Sequence, residues 1–223
     1  MAAPDNARDL TFSVSRRLPG GGRSGLIDTP HGPIATPAFV PVATKAAVKL
    51  LTPAQLRDVG AQAILSNAYH LYLQPGPEIV DEAGGVASFE AWGGPTYTDS
   101  GGFQVMSLGS GLGKVIAMEK GDVSEREARA AHRERLSKVD DDGVDFRSVV
   151  DGSKHRFTPE KSIQIQHQLG ADIMFAFDEL TTLFESRSYQ EESVERTRRW
   201  ARRCLVAVSY THLRAHETKA NLV

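Results

Sequence analysis

Residues 95–105 read PTYTDSGGFQV: a short strand-like run ends at Asp99 and opens onto a serine and two glycines. Phe103 and Gln104 follow them. Two successive glycines lack Cβ atoms, so their backbone N–H groups can approach a flat ligand closely. One carboxylate, two exposed amides and one aromatic ring can surround a planar molecule, and a purine fits this description. The same arrangement also occurs in plain turns, so the spacing alone leaves both interpretations open.

Outward from this loop, apolar runs alternate with helix-start signals. The dipeptide TP at residues 52–53 and 158–159 places a capping threonine before a proline at the first helical position. Nearly continuous apolar strands are expected at AQAILSNA, which runs into Asn67, and at ADIMFAFDEL, which reaches Asp178. Strands buried on both faces that alternate with helices indicate a parallel α/β sheet.

Three polar residues, Asn67, Asp99 and Asp178, stand where an apolar strand is expected to end and a loop to begin. In a (β/α)8 barrel such strand ends gather at one face, where catalytic residues lie. A doubly wound sheet also binds ligands at strand ends, but no G-x-G-x-x-G follows the first strand. At the N-terminus, the alternating run LTFSVS and the glycines at 20–22 predict a β-hairpin, followed by an extended segment at 38–42.

The composition is that of a globular protein. The 223 residues are 40% apolar and 24% charged, which suffices for one large domain or two small ones. No apolar run approaches the ~18 residues of a membrane span, and the N-terminus does not resemble a signal peptide. The single cysteine, Cys204, excludes an internal disulfide and a multi-cysteine zinc site built by this chain alone. We therefore expect a cytoplasmic protein without a membrane partner.

A net charge of −2 means that nucleic-acid binding would need a local basic patch. The best candidate in the sequence is RTRRWARR at 196–203, which carries five arginines. Acidic residues stand just upstream at 191, 192 and 195. At helical spacing these charges favour a solvated helix face with internal ion pairs over direct ligand contacts.

Several long motifs occur in an order and at a spacing that resemble the bacterial tRNA-guanine transglycosylase family. The resemblance covers residues 10–205, about the first half of the family's barrel. It implies a (β/α)8 TIM-type barrel of which roughly half is present, preceded by the N-terminal β-hairpin. The motifs are TPAFVPVAT (36–44), SNAYHLYLQPG (66–76), TDSGGFQVMSLG (98–109), DGVDFRS (142–148), SIQIQHQLGADI (162–173) and FDE (177–179).

The resemblance implies a base-exchange reaction in queuosine modification of tRNA. Guanine at the wobble position (34) of tRNAs with GUN anticodons is replaced by a 7-deazaguanine, preQ1 or queuine. The family uses double displacement, in which a carboxylate attacks the anomeric carbon and the incoming base then displaces the enzyme. Full-length members contain zinc and are expected to form homodimers; their partners are the tRNA and the free bases.

The resemblance also assigns site residues. Asp99 matches the acid/base carboxylate that hydrogen-bonds the base, and Phe103 would stack on the purine. Asp178 would accept two N–H donors of the purine's Watson–Crick edge. His70 is interpreted as a satisfied buried histidine rather than a ligand. The remaining expected pocket residues are Ser100, Gly101 and Gly102 in the loop, with Asn67, Gln104 and Leu180 as further candidates.

The chain departs from the family pattern in three respects. The family's nucleophilic aspartate, glycine-rich base-binding loop and zinc ligands match nothing here, so we expect no bound zinc and no activity from this chain alone. Leu180 stands where many bacterial members have a cysteine, which leaves the preferred base open.

The third departure is the C-terminal tail, which matches nothing in the family and therefore sets the expected boundary of the barrel domain. The predicted organisation is a flexible N-terminus (1–9), a partial barrel domain (10–205) and a non-family tail (206–223). A charged segment near 119–142 is expected to form a helical insertion in the barrel domain. The HLRAH sequence in the tail lacks the glutamate of a zinc-hydrolase helix and predicts no metal site.

Two other functions remain possible from the residues. The chain could be a non-catalytic binding or partner subunit of the same family, or an unrelated barrel enzyme such as a phosphate-handling aldolase. The aldolase alternative lacks support, because no basic residue stands beside the expected strand ends. Base exchange on a tRNA with a wobble guanine separates these alternatives.

Overall fold

The computed structural model describes residues 10–107, 137–181 and 185–220, with side chains as far as residue 208. The expected flexible N-terminus (1–9), residues 119–136 of the charged segment and the side chains of HLRAH lie outside this description. The described residues divide into two compact units. The first comprises residues up to 99 together with 166–175, and the second comprises 100–165 together with the residues from 176 onward.

The first unit begins with an antiparallel sheet of three strands in the order β1-β2-β3. The strands are β1 (Thr11–Arg17), β2 (Arg23–Thr29) and β3 (Gly32–Thr36). The predicted N-terminal hairpin is therefore present, but it has a third strand that the sequence analysis did not separate from the turn-rich segment after it. The turn between β2 and β3 is held by Thr29, whose Oγ1 donates to the Gly32 carbonyl at 2.8 Å.

The first unit also contains a four-stranded parallel sheet in the order β10-β6-β5-β4. Its strands are β4 (Val42–Ala43), β5 (Ile64–Ser66), β6 (Thr96–Thr98) and β10 (Ile173–Met174). The helices of this unit are α1 (Pro53–Asp58), α2 (Ala68–Leu73), α3 (Pro77–Glu82) and α4 (Val86–Phe89). The predicted α/β class with parallel strands is confirmed.

Helix α1 forms where the sequence predicts it. Thr52 caps the helix, its Oγ1 accepting from the Gln55 backbone N–H at 3.3 Å while the Gln55 side chain accepts from the Thr52 N–H at 2.9 Å. This reciprocal capping satisfies N–H groups that a helix start otherwise leaves unpaired. The helix packs Leu56 into a cluster with Ala43, Ile64 and Trp92, which anchors it to the parallel sheet.

The strand predicted at ADIMFAFDEL is shorter than expected. Regular pairing covers only β10, and the Phe175 N–H makes a last bond to the Thr98 carbonyl at 3.2 Å. The reason is the length of the neighbouring strand: β6 ends at Thr98, so residues beyond Phe175 have no ladder partner there. Asp178 consequently lies four residues beyond β10 and belongs to the second unit.

The second unit contains a three-stranded antiparallel sheet in the order β7-β8-β9. The strands are β7 (Lys138–Val139), β8 (Val144–Arg147) and β9 (Lys154–Phe157), and the helices are α5 (Gly102–Ser107), α6 (Pro159–Leu169) and α7 (Arg187–Ala220). The last residues of α6 are assigned to the first unit. Helix α7 runs without a break past residue 205, the expected end of the barrel domain.

The end of the charged segment near 119–142 is not helical. Residues 138–139 form β7, and Asp140 closes a turn by accepting from the N–H groups of Asp142 and Gly143 at 2.9 and 3.0 Å. The helix expected from the charged composition is too long at this end, because the Asx-type turn signal DDDG outweighs that composition.

An aromatic chain forms the core of the second unit. The Phe146 and Phe157 rings meet edge to face at 5.2 Å, the Phe157 and Phe177 centroids are 6.2 Å apart, and Phe177 stacks on Trp200 at 5.0 Å. Cys204 is buried beside them and accepts from the Phe177 N–H at 3.3 Å. The unit is thus built around rings contributed by β8, β9, the segment after β10, and α7.

Candidate functional site

Asp99 directly follows β6, and both of its carboxylate oxygens are held by the start of α2. Oδ1 accepts from the Ala68 backbone N–H at 2.8 Å, and Oδ2 accepts from the side-chain amide of Asn67. Asn67 directly follows β5 and is the N-cap residue of α2. Two donors on two oxygens fix the orientation of the carboxylate, which is half-buried.

The main chain reinforces this pair. The Asp99 N–H donates to the Ser66 carbonyl at 3.3 Å, which continues the parallel pairing of β5 and β6 to the strand ends. Since consecutive residues of β5 and β6 are in register, Asn67 and Asp99 are neighbours across the sheet edge. The side-by-side strand ends predicted from the sequence are therefore present for these two residues.

His70 lies on α2 near this pair and is half-buried. Burial lowers the pKa of its imidazole, the Lys45 ammonium lowers it further, and the Asp99 carboxylate opposes both effects. The imidazole is therefore neutral around pH ~7. Its ring meets Tyr69 edge to face at 5.2 Å, so it is packed on one side but less buried than the sequence predicts.

Asp178 of the second unit is tied to the glycine loop. Ser100 donates through Oγ to Asp178 Oδ1 at 3.0 Å, and the same Oγ accepts from the Gly102 N–H at 3.1 Å. The Ser100 carbonyl in turn accepts from the Ser162 hydroxyl at 2.7 Å. Asp178 is exposed, and the serine orients its Oδ1.

The two glycines of the loop have different physical roles. Gly101 has a φ of +77°, in the left-handed region that disfavours side chains. A Cβ on Gly102 would lie 2.7 Å from the Asp178 carbonyl oxygen and 2.9 Å from its Oδ1. Close approach of a ligand is the role expected for both glycines, whereas in the structure Gly101 makes the turn and Gly102 makes room for Asp178.

The other expected pocket residues lie on or beside α5. Phe103 occupies the first turn of this helix and is 51% exposed, and Gln104 next to it is half-buried. Leu180 is half-buried, and its backbone N–H contacts the Met106 sulfur at 3.2 Å. Within the second unit, α5 therefore carries an exposed ring and packs against the segment that follows Asp178.

The unit boundary falls between Asp99 and Ser100. Each unit holds one hydrogen-bonded group of expected residues: Asn67 with Asp99 in the first, and Ser100 with Gly102 and Asp178 in the second.

Glu90 is a buried acid that the sequence analysis missed. It is only 8% exposed, its Oε1 accepts from the Ser66 hydroxyl, and its Oε2 has no hydrogen-bond partner among the described residues. Burial raises its pKa to about 7, and the Ser66 hydrogen bond offsets part of that effect. The local sequence SFEAW does not predict that Glu90 is buried, because a lone acid in a short helix usually faces solvent.

Ion pairs hold most of the arginine run on α7, as expected, but the run is not simply a solvated face, because Arg196 is buried and several partners lie outside the helix. Arg196 is buried and binds Glu179 and Glu192, each at 2.5 Å. Arg198 pairs with Glu195, and two further arginines bind acids from elsewhere in the unit. These last pairs are Arg199 with Asp141 at 2.8 Å and Arg203 with Glu160 at 2.7 Å.

Zinc does not fit the described side chains. Among residues 10–107, 137–181 and 185–208, no three His, Cys, Asp or Glu side chains converge in a way that could hold a metal ion. Cys204 is buried against Phe177, and burial raises the pKa of its thiol, which disfavours the thiolate that binds metals. Over the same part of the chain, no helix is long and apolar enough to cross a membrane.

Comparison with known proteins gives one consistent match. A sequence model of the queuine tRNA-ribosyltransferase family matches residues 19–222. A queuine tRNA-ribosyltransferase of Pelotomaculum thermopropionicum is 49% identical over 187 residues, which make up 84% of this chain and 44% of the relative. Those of Roseiflexus sp. and Gloeobacter violaceus are 48% and 47% identical over 198 residues, covering 88% and 89% of this chain and 48% and 46% of the relatives.

The chain spans somewhat under half the length of these curated relatives. The family match continues past residue 205, so it does not separate the predicted tail from the rest of the chain. The domain boundary at 205 stays a prediction.

Proposed function

The chain belongs to the queuine tRNA-ribosyltransferase family, and from this premise we propose that it carries part of the active site of a tRNA-guanine transglycosylase. The reaction exchanges guanine at the wobble position of tRNA for a 7-deazaguanine. The four parallel strands of the first unit would form about half of an eight-stranded barrel, whose strand ends hold catalytic groups. Asn67 and Asp99 follow two of these strands directly, as that architecture requires.

The observation that carries this proposal is the fixed carboxylate of Asp99. A group that exchanges protons with a departing and an incoming base must keep its oxygens in one orientation through both half-reactions. The Asn67 amide and the Ala68 N–H supply that constraint. Asp99 would give a proton to the guanine as its bond to the ribose breaks, and take a proton from the incoming base as the new bond forms.

Asp178 is proposed to bind the Watson–Crick edge of the base. Guanine presents adjacent N–H donors there, and a carboxylate can accept both at once. One oxygen of Asp178 is already oriented by Ser100, and its exposure leaves the other available. Phe103, half-exposed on α5, would stack on the base, since an aromatic ring beside open space suits a planar heterocycle.

Leu180 is proposed to influence which base is preferred. It follows Asp178 by two positions and is held through its backbone against Met106. A branched apolar side chain differs from cysteine in size and polarity, so Leu180→Cys would change the relative affinity for 7-substituted bases by about 1–3 kcal/mol. Competition between preQ1 and queuine for exchange measures this preference.

The remaining family properties are carried over as proposals. The partners would be tRNAs with a wobble guanine and the free bases, the complete enzyme would be a cytoplasmic homodimer, and the attacking carboxylate and zinc ligands would come from residues outside this chain. The described side chains do not fit a zinc ion, so no step is assigned to zinc here.

The test is incorporation of labelled guanine into tRNA. A longer protein that contains this sequence should label a tRNA with guanine at the wobble position and should not label the same tRNA with adenine there. The 223-residue chain alone should label neither. Labelling by the longer protein of both tRNAs, or of neither, would contradict the proposed function.

A further inference from the structure

One face of the β7–β9 sheet carries four cations and one acid. In an antiparallel sheet, paired residues point to the same face. Lys138 pairs with Asp145, which pairs with Arg156 on the other side, and Arg147 pairs with Lys154. All five side chains are exposed, while Val144, Phe146 and Phe157 alternate with them and are buried. We call these five residues the β7–β9 basic face.

Within the described part of the chain, one of the four cations of this face is paired with acids. Arg156 binds Asp140 at 2.7 Å and Asp145 at 2.9 Å, so the single acid of the face is already paired. Among the described residues, no carboxylate lies within ion-pair distance of Lys138, Arg147 or Lys154. These three cations form a local positive patch on a chain whose net charge is −2.

One cation of the face is held in place, and a cavity lies beside the face. The cavity, of about 500 Å³, is lined by the five residues of the face together with Ser137, Phe146 and His155. The Arg147 guanidinium is held by donating to the Gly152 carbonyl at 3.1 Å. Fixing a guanidinium before a ligand arrives reduces the entropy lost on binding.

The arginines of α7 are less available to an anion than the cations of the β7–β9 basic face. The arginines of RTRRWARR were the sequence's best candidate for a basic patch, but acids within the same unit pair with most of them. The β7–β9 basic face was not singled out, because its cations are spread over three short strands in the sequence. Only the strand register brings them together.

We propose that the β7–β9 basic face binds the phosphate backbone of the tRNA substrate. This inference rests on the proposed function, which supplies a polyanion as the partner. Ammonium and guanidinium groups bind phosphate through charge-assisted hydrogen bonds. Strands lie about 4.8 Å apart, so cations on β7 and β9 are separated by roughly 10 Å and can contact more than one phosphate.

The test compares two double variants of the 223-residue chain. Lys138→Gln/Lys154→Gln removes two cations of the face, and Lys49→Gln/Arg202→Gln removes two exposed cations elsewhere. Affinity for a labelled anticodon stem–loop is measured by fluorescence anisotropy over a series of salt concentrations. The first variant should bind roughly tenfold more weakly, and its salt slope should fall by about 2, or about one per lost phosphate contact. The second variant should bind like the wild type.

Equal affinity of the wild type and the Lys138→Gln/Lys154→Gln variant would overturn this inference, as would an equal loss in both variants, which would indicate only net charge. Base exchange by the longer protein separates this failure from failure of the proposed function. With the proposed function intact, the same substitutions there should raise KM for tRNA with little change in kcat. Exchange by the Lys138→Gln/Lys154→Gln variant with an unchanged KM for tRNA would refute the role of the basic face alone. Labelling of both tRNAs, or of neither, by the wild-type longer protein would refute the proposed function.

Discussion

Ser100 donates a hydrogen bond to Asp178 Oδ1 at 3.0 Å while accepting one from the Gly102 N–H. One hydroxyl thus connects the glycine loop to an acid 78 residues further along the chain. The contact explains why a small polar residue and a residue without a Cβ follow each other so closely here. The positions of the loop and of Asp178 therefore depend on each other, so a substitution in one should displace the other.

Gly102→Ala should destabilise the second unit. The added Cβ would lie 2.7 Å from the Asp178 carbonyl oxygen, a backbone atom that cannot move without displacing its segment. Overpacking of this kind costs about 1–3 kcal/mol. Urea unfolding measures the loss. Gly20→Ala is the matched control, because a Cβ there meets no atom within 4 Å; equal stability of both variants would show that the close approach to Asp178 is not real.

Asp178→Ala should weaken binding of guanine much more than binding of tRNA. Loss of a charged acceptor for two N–H donors costs about 1.5–3 kcal/mol per hydrogen bond, which equilibrium dialysis with labelled guanine can measure in the longer protein. Ser100→Ala leaves the carboxylate in place and removes only its orienting bond, so its effect should be smaller, near 1 kcal/mol. Unchanged guanine affinity in Asp178→Ala would remove this residue from the base site.

Glu90 should make stability fall as the pH rises. Its folded-state pKa is raised from 4.5 to about 7, so the folded protein holds a proton that the unfolded chain releases. The contribution is fully present below pH 4.5 and is lost as the pH rises to about 7. It amounts to about 3 kcal/mol.

Glu90→Gln keeps an acceptor for the Ser66 hydroxyl without the ionisation, so the variant should gain stability relative to the wild type above pH 7. Urea unfolding across this pH range measures the difference. Glu82→Gln, which removes an exposed carboxylate, controls for net charge. If the free energies of unfolding of the wild type and Glu90→Gln differed by the same amount at every pH, the raised pKa of Glu90 would be contradicted.

Much of this organisation could be predicted from local signals. The capped start of α1 and the acids and amides at the ends of β5 and β6 follow from capping chemistry and from the direction of parallel strands. The roles of Asp99 and Asp178 came from family resemblance, because spacing alone was equally compatible with a turn.

The rest depended on contacts between distant residues. The clash that requires Gly102 involves Asp178, the buried position of Glu90 depends on Ser66, and the basic face exists only through the register of three strands. The short β10 likewise reflects the length of β6, its partner, and not its own apolar sequence. Hydrophobic periodicity predicts local secondary structure and does not predict these contacts between distant residues.

The most direct measurement is the exchange rate of Asp99→Asn in a longer protein that contains this sequence. An asparagine keeps the side-chain shape and can still accept from the Ala68 N–H, but it cannot take up and release the base's proton. We expect the rate of guanine incorporation to fall by ~10²–10⁴-fold, with the melting temperature and tRNA affinity unchanged. Asp58→Asn, at an exposed acid of α1, should exchange normally. Turnover of Asp99→Asn within a few-fold of the wild type would contradict the role of Asp99 as the acid/base group.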